Sequence, residues 1–227
     1  MTSSSSVTRF IRPRDARGGL VQAVLDIVGQ VPVSTLPPAE APRSRAARIA
    51  RTAGLKASGT AGVLALAPGP LGWATIAPEL YAVWKMQARM VSDIAACFGR
   101  HPTREEMLYC LFQHTAAGAF RDVVIQIGER YVVRRTPLQA LYAIANKIAL
   151  RIAQRGMTRV GTRWLPVAGA ALVSGYVLLD TRRVAATATE LFGSEVQYEK
   201  EAIEGEAVAA IKKKKAVAKR APRKQRE

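Results

Sequence analysis

Along this chain apolar residues recur at the three- and four-residue spacing of helix faces, in segments separated by proline, glycine and charged punctuation. A short apolar helix is predicted from Gly19 to Gln30. It is followed by "VPVSTLPPAEAP", where four prolines in a dozen residues admit neither a helix nor a central strand and mark a linker. Pro42 then suits the first turn of a helix running to about Leu66, and Pro68-Gly69-Pro70 must stop that helix. Leu80, Val83, Trp84, Gln87, Met90, Val91, Ile94 and Phe98 carry the next stripe, which ends at Gly99. In "HPTREE", Thr103 is an N-cap with Glu106 three residues on, a capping box. Met107, Leu108, Leu111, Phe112 and Thr115 continue from it. Thr136 as cap and Pro137 at the first helical position open another helix, with Leu138, Leu141, Tyr142, Ala145, Ile148 and Ile152 at helical period. After Gly156, "WLPVAGAALVSGYVLLD", with Pro166 near its start, runs on amphipathically to Phe192 and Gly193. No hairpin signal or alternating strand run competes with this reading. The expected fold class is all-α, a single bundle of five or six main helices with a broken apolar helical hairpin and a disordered basic C-terminal tail.

The expected organisation is an N-terminal arm, short helix and Pro-rich linker over 1–39, one helical domain over 40–193, and an acidic helix followed by a Lys/Arg-rich tail over 194–227. The 227 residues suffice for one core of ordinary size. Mean hydropathy is slightly positive although Lys and Arg number 34, so charge and apolar surface are segregated along the chain. The end segment "IKKKKAVAKRAPRKQRE" holds nine cations against one Glu and repels itself into disorder. At the other end, "MTSSSSVTRFIRPRDARGG" has the arginines of a secretory n-region but no apolar stretch behind them. Its Ser/Arg-rich composition fits an organelle transit peptide and a disordered arm alike, and the arm is the plainer reading. Cys97 and Cys110 have no CxxC spacing, which points to free buried thiols in a reducing compartment.

Between Lys56 and Glu79 the chain runs for 22 residues without an ionisable side chain. A membrane span needs about 20 uninterrupted apolar residues, whereas here Pro68, Gly69 and Pro70 fall in the middle. The arm from Ala57 to Ala67 makes about 16 Å of helix at 1.5 Å per residue, roughly half the hydrocarbon thickness. The stretch therefore reads as a helical hairpin with an apolar tip. Ala50, Gly54, Ser58 and Gly62 leave one face of its first arm nearly bare, and Ala171 and Gly175 offer a matching small-residue face on the late helix.

Charge changes the picture. Arg130 to Leu179 contains no carboxylate and eight basic residues, and Ala41 to Pro78 is equally acid-free with five. Each block holds an apolar run and a tryptophan, Trp73 or Trp164, and Lys147, Arg151 and Arg155 fall on one helix face. An apolar tip (Leu64, Leu66, Leu71) with a basic rim is the pattern of a protein that meets anionic lipid; a solvated basic face is the bland alternative. The expected partner is an anionic membrane surface, with the protein cytoplasmic and peripheral to the inner face of the membrane. The tail cations Lys212, Lys213, Lys214, Lys215, Lys219, Arg220, Arg223, Lys224 and Arg226 could equally bind nucleic acid without sequence preference. No aromatic follows Tyr198 to stack on bases.

The pairing of "ASGTAGVLALAPGPLGWATIAPELYAVWKMQARMVSDIAACFGR" with the later "WLPVAGAALVSGYVLLDTRRVAATATELF" resembles the EcsC protein family. That family has a Gly-rich apolar segment, a long helix ending in an "A-x-x-[YF]-G" turn, here Ala95 to Gly99, and a later "LP-x-x-G-A" element, here Leu165, Pro166, Gly169 and Ala170. The likeness covers about residues 45–192. It implies a helical, membrane-associated protein linked to secretion or transport, of unestablished activity, and supplies no catalytic residues.

Chemistry is sparse. HExxH, GxSxG, GxGxxG and GxxxxGK are all absent. The two histidines are separated by a turn: His114 shares a face with Met107 and Leu111 and reads as a core or boundary residue, and His101 precedes a proline. Among the acids at semi-apolar helical positions, Glu79, Asp93, Asp122 and Asp180, the last is expected to pair with Arg182, Arg183 or a base on a neighbouring helix. No catalytic, cofactor-binding or metal-binding residue is assigned, no cofactor is expected, and the chain reads as a non-enzyme.

Overall fold

The computed structural model describes residues 13–65, 72–157 and 166–199. In chain order these form α1 (Pro13–Gly29), α2 (Pro42–Ala65), α3 (Gly72–Cys97), α4 (Arg104–Ala116), a 3-10 turn (Ala117–Ala119), β1 (Val124–Ile127), β2 (Arg130–Arg134), α5 (Leu138–Met157), α6 (Pro166–Gly193) and β3 (Glu195–Glu199). The described chain is thus mostly helical, with a small three-stranded sheet that the sequence reading did not anticipate.

The helix ends follow local rules. Thr103 caps α4 with the full box: its hydroxyl accepts from the Glu106 amide at 3.3 Å, and the Glu106 carboxylate accepts from the Thr103 amide at 2.7 Å. At the end of α3, Gly99 adopts φ +69, its amide donates to the Ala96 carbonyl at 2.9 Å, and the Arg100 amide donates to Ala95 at 3.0 Å. This is a Schellman closure, which needs a residue free to turn left-handed. Thr136 does not cap α5. Its hydroxyl donates to the Arg134 carbonyl, its amide donates to Glu105 Oε1 at 3.1 Å, and the Pro137 carbonyl takes the first helical bond from Leu141.

α4 lies at the centre, against α1, α3, α5 and α6 and under the sheet. That position explains why its buried residues, Met107, Leu108, Cys110, Leu111 and Phe112, crowd the helix instead of keeping to one stripe. Trp84 of α3 meets Phe112 edge-on, and Tyr109 meets Tyr131 of β2 and Phe120 in the same way. α2 joins this core only through its first half, where Ala46 is buried and Ile49, Ala50 and Ala53 pack against it. It packs on α6 and α3, and a second, smaller cluster of Ala57, Ala61, Val83 and Val177 joins the three helices. The Pro-rich segment before α2 is strapped to α3: Ser34 donates to Asp93 at 2.6 Å, Arg89 to the Val33 carbonyl and Ala39 to the Cys97 carbonyl.

β1 and β2 form an antiparallel hairpin in which Ile127 pairs with Arg130 across Gly128 and Glu129. Gly128 has φ +62 while Glu129 stays negative, the signature of a type II′ turn. β3 adds in parallel, Arg130 opposite Glu195 through Arg134 opposite Glu199. The first five residues of the expected acidic helix after Ser194 are therefore a strand, Glu195–Glu199, and the rest of that segment lies outside the described residues. In "EVQYE", Val196 and Tyr198 alternate with polar residues, and it is the ready edge of β2 that makes this period count.

Candidate functional site

The small-residue face of α2 does meet α6. A methyl group on Gly62 would strike the Ser174 hydroxyl, and one on Gly54 would lie 3.1 Å from Leu178 Cδ1. Residue numbers fall along α6 as they rise along α2, so the pair is antiparallel and its backbones lie close. The register on α6 differs from expectation. Ala171 and Gly175 are exposed, nothing stands within 4 Å of a Cβ placed on Gly175, and the contact is made by the neighbouring row Ala170, Ser174, Leu178 and Thr181. Two adjacent small-residue rows run along α6, and spacing alone does not choose between them. Ser58 turns its hydroxyl back to the Leu55 carbonyl at 3.1 Å, half-buried beside the contact.

Of the expected membrane-surface residues, Leu64 is exposed near the end of α2, and Lys147 and Arg151 are exposed one turn apart on α5. Arg155 and Trp73 lie in α5 and in the first turn of α3, and their side chains are outside the described part. Leu66, Leu71, Trp164 and the tail cations Lys212, Lys213, Lys214, Lys215, Lys219, Arg220, Arg223, Lys224 and Arg226 lie outside the described residues. The sequence reading passed over four apolar residues that face solvent on α2 and α6: Leu55 at 60%, Val63 at 69%, Leu172 at 62% and Leu179 at 55% exposure. Helical periodicity counts an apolar residue as inward, so an outward one leaves no signal unless the opposite face is buried as well. Among the described residues, no helix is long and apolar enough to cross a membrane and no group of three His, Cys, Asp or Glu could hold a metal.

Asp180 turns inward. Arg182 and Arg183 point to solvent, and the carboxylate is held instead by His114 of α4, Nε2 to Oδ1 at 2.7 Å, and by Gln87 of α3, Nε2 to Oδ2 at 2.9 Å. A carboxylate only accepts, so His114 Nε2 carries the hydrogen. Gln87 also donates to the Thr181 hydroxyl at 3.1 Å. The cluster ties three helices together within apolar packing, where each unmade bond is costly. His114 Nδ1, the atom that could act as a base, is buried without a hydrogen-bond partner, and so is Gln87 Oε1. The geometry staples helices; it does not activate a nucleophile.

A second polar node holds the sheet. Glu106 is fully buried, and its Oε1 accepts from Arg100 at 3.2 Å and from the Tyr198 hydroxyl at 2.9 Å. Arg100 also donates to Tyr198 at 2.8 Å and stacks over Phe192 at 5.5 Å. Burial pushes the Tyr198 hydroxyl up, as it does those of Tyr109 and Tyr131, the last also through its hydrogen bond to Glu190. Both cysteines are free and buried, and desolvation raises both thiols, Cys110 far more than Cys97. They are held as thiols, the unreactive form.

No protein-family model, curated protein or solved structure matches the chain.

Proposed function

We propose that this chain is a non-enzymatic, EcsC-like accessory protein that sits peripherally on an anionic membrane surface, at the inner face of a membrane engaged in secretion or transport. The likeness to that family rests on the two motif segments quoted above. The observation that carries the reading is the outward display of charge. Apart from the half-buried Arg45, every described cation of the acid-free stretches 41–78 and 130–179 is exposed, and Asp180, the first acid after the second stretch, is engaged inside with His114 and Gln87. A cation near an anionic leaflet contributes about 1 kcal/mol; of these cations Arg130 is paired with Glu195 at 2.9 Å, whereas Arg48, Arg51 and Lys56 take part in no ion pair among the described residues.

The test is flotation of the full chain with vesicles of phosphatidylglycerol and phosphatidylcholine, or of phosphatidylcholine alone. Binding to the anionic vesicles at low salt, partial release at high salt and no binding to neutral vesicles are expected, because screening acts on the charges within about 8 Å and leaves apolar burial intact. A folded chain that ignores anionic vesicles at low salt rejects the reading. The alternative is non-specific nucleic-acid binding through residues 212–226, supported by the nine tail cations. It predicts that the chain binds duplex DNA with a steep salt dependence that truncation before Lys212 abolishes.

A further inference from the structure

We infer that the outer face of the α2–α6 pair is the surface that seats on the bilayer, with Arg51, Arg182 and Arg183 at the phosphate headgroups and Leu55, Val63, Leu172 and Leu179 inserted among the acyl chains. The inference rests on the membrane reading above and names its contact face.

α3 closes the pair from one side, where Val83 packs on Ala57, Ala61 and Val177. The exposed rows therefore lie on the other side. On α2 that row is Arg48, Arg51, Leu55, Gly59 and Val63, successive positions three or four residues apart and all exposed. On α6 it is Leu172, Gly175, Leu179, Arg182 and Arg183, likewise exposed. The antiparallel register set by Gly54 against Leu178 and Gly62 against Ser174 puts Arg51 level with Arg182 and Val63 level with Leu172. The face is therefore graded along its length, cationic at one end and apolar at the other. Arg48, Arg51, Lys56, Arg182 and Arg183 take part in no ion pair among the described residues. The two acids of α6 lie elsewhere: Asp180 is inside, and Glu190 bonds Tyr131 beyond the basic end.

This gradient selects its partner. The chain outside the described residues cannot complement it, since 1–12 carries two Arg and no acid and 200–227 carries ten Lys or Arg against four Glu. A second copy presents the same cations. A nucleic acid would meet the arginines but leave the leucines in water. An anionic phospholipid meets both. Arg51 and Val63 are separated by about 18 Å along the helix axis; an inclination of about thirty degrees to the bilayer plane turns this into about 9 Å of depth, within the reach of an interfacial helix.

The test uses the full chain with single cysteines at Val63→Cys, Leu172→Cys and, as control, Leu150→Cys on the exposed side of α5, each labelled with a polarity-sensitive fluorophore; the buried native thiols stay unlabelled. With phosphatidylglycerol vesicles, blue-shifted emission and quenching by brominated acyl chains are expected at 63 and 172 and not at 150. In the same assay R51Q/R182Q should lower vesicle partitioning about thirty-fold, from two surface cations at the usual contribution, while R104Q/R121Q, at exposed cations outside both acid-free stretches, should change it less than three-fold. Flotation without a shift at 63 and 172, a shift at 150 as large as theirs, or equal response to duplex DNA overturns the assigned face and leaves the membrane reading standing. Failure of the unlabelled chain to float overturns both.

Discussion

Replacing Glu106 by Gln tests whether one buried carboxylate holds β3 to the helical core. Oε1 accepts from Arg100 and Tyr198, and Oε2 accepts from the Thr103 amide at 2.7 Å. Glutamine keeps the shape but offers only one acceptor oxygen. Whichever way its amide is turned, a donor faces a donor, at the capping box or at the Arg100–Tyr198 side. Removing one partner of a buried ion pair costs about 3–5 kcal/mol. The Arg100 side chain is 22% exposed and keeps the Phe192 ring, so the lower end, about 3 kcal/mol, is expected. Tyr198→Phe removes a hydrogen bond from a half-exposed residue and should cost about 1 kcal/mol. Urea unfolding is the assay. With a slope of about 2 kcal/mol/M, Glu106→Gln should move the midpoint down by about 1.5 M and Tyr198→Phe by about 0.5 M. Because both act on one node, the double variant should lose less than the sum by at least about 0.5 kcal/mol. A Glu106→Gln midpoint within about 0.3 M of the parent, or strict additivity, would refute the account of this node.

Three further outcomes follow from the packing. Gly62→Val should destabilise by about 2 kcal/mol through overpacking against Ser174, with partial recovery when Ser174→Ala is added; an unchanged melting temperature would mean that α2 and α6 do not approach so closely. Asp180→Ala should cost about 2–4 kcal/mol, since it strands the Gln87 amide and the His114 N–H, whereas Arg183→Gln, at an exposed position, should cost less than about 0.5 kcal/mol; the reverse order would place the carboxylate's partner at the surface after all. Tyr109, Tyr131 and Tyr198 hold their protons more tightly folded than unfolded, so stability from them is complete below the ordinary tyrosine range near pH 10 and is lost as pH rises above it. Absorbance at the tyrosinate band should show a late-titrating set that collapses on unfolding and shrinks by one in Tyr131→Phe; titration unaffected by unfolding would contradict it.

What could be read in advance was what local chemistry decides. Thr103 with Glu106, Gly99 and Pro42 announce helix ends because their partners lie within one turn. The sheet was hidden for the opposite reason. β1 and β2 have four and five residues, too few for alternation to stand out, although the Gly128–Glu129 turn between them was a usable signal. β3 is a strand only because β2 lies beside it, and no window of sequence contains both. The same limit applies to the sites. The bare face of α2 was visible as spacing, while the choice of Ala170 and Ser174 over Ala171 and Gly175 depends on how α6 is rolled, which α3 and α4 decide. Asp180 was noticed as an acid beside two arginines, and the roll of α6 turned it away from both.

The parallel pairing of β2 with β3 also bears on how the protein is made. A chain emerging from the ribosome presents β1 and β2 first, then all of α5 and α6, and only then the strand that covers the second edge of β2. Through that interval an open row of amide and carbonyl groups is exposed beside Tyr131 and Val133, a surface on which another nascent chain could add a strand. Closing so long a loop is entropically slow compared with forming either helix. Expression of a chain cut before Glu195 should therefore yield aggregate from the open edge, whereas a cut after Glu199 keeps the strand that seals it.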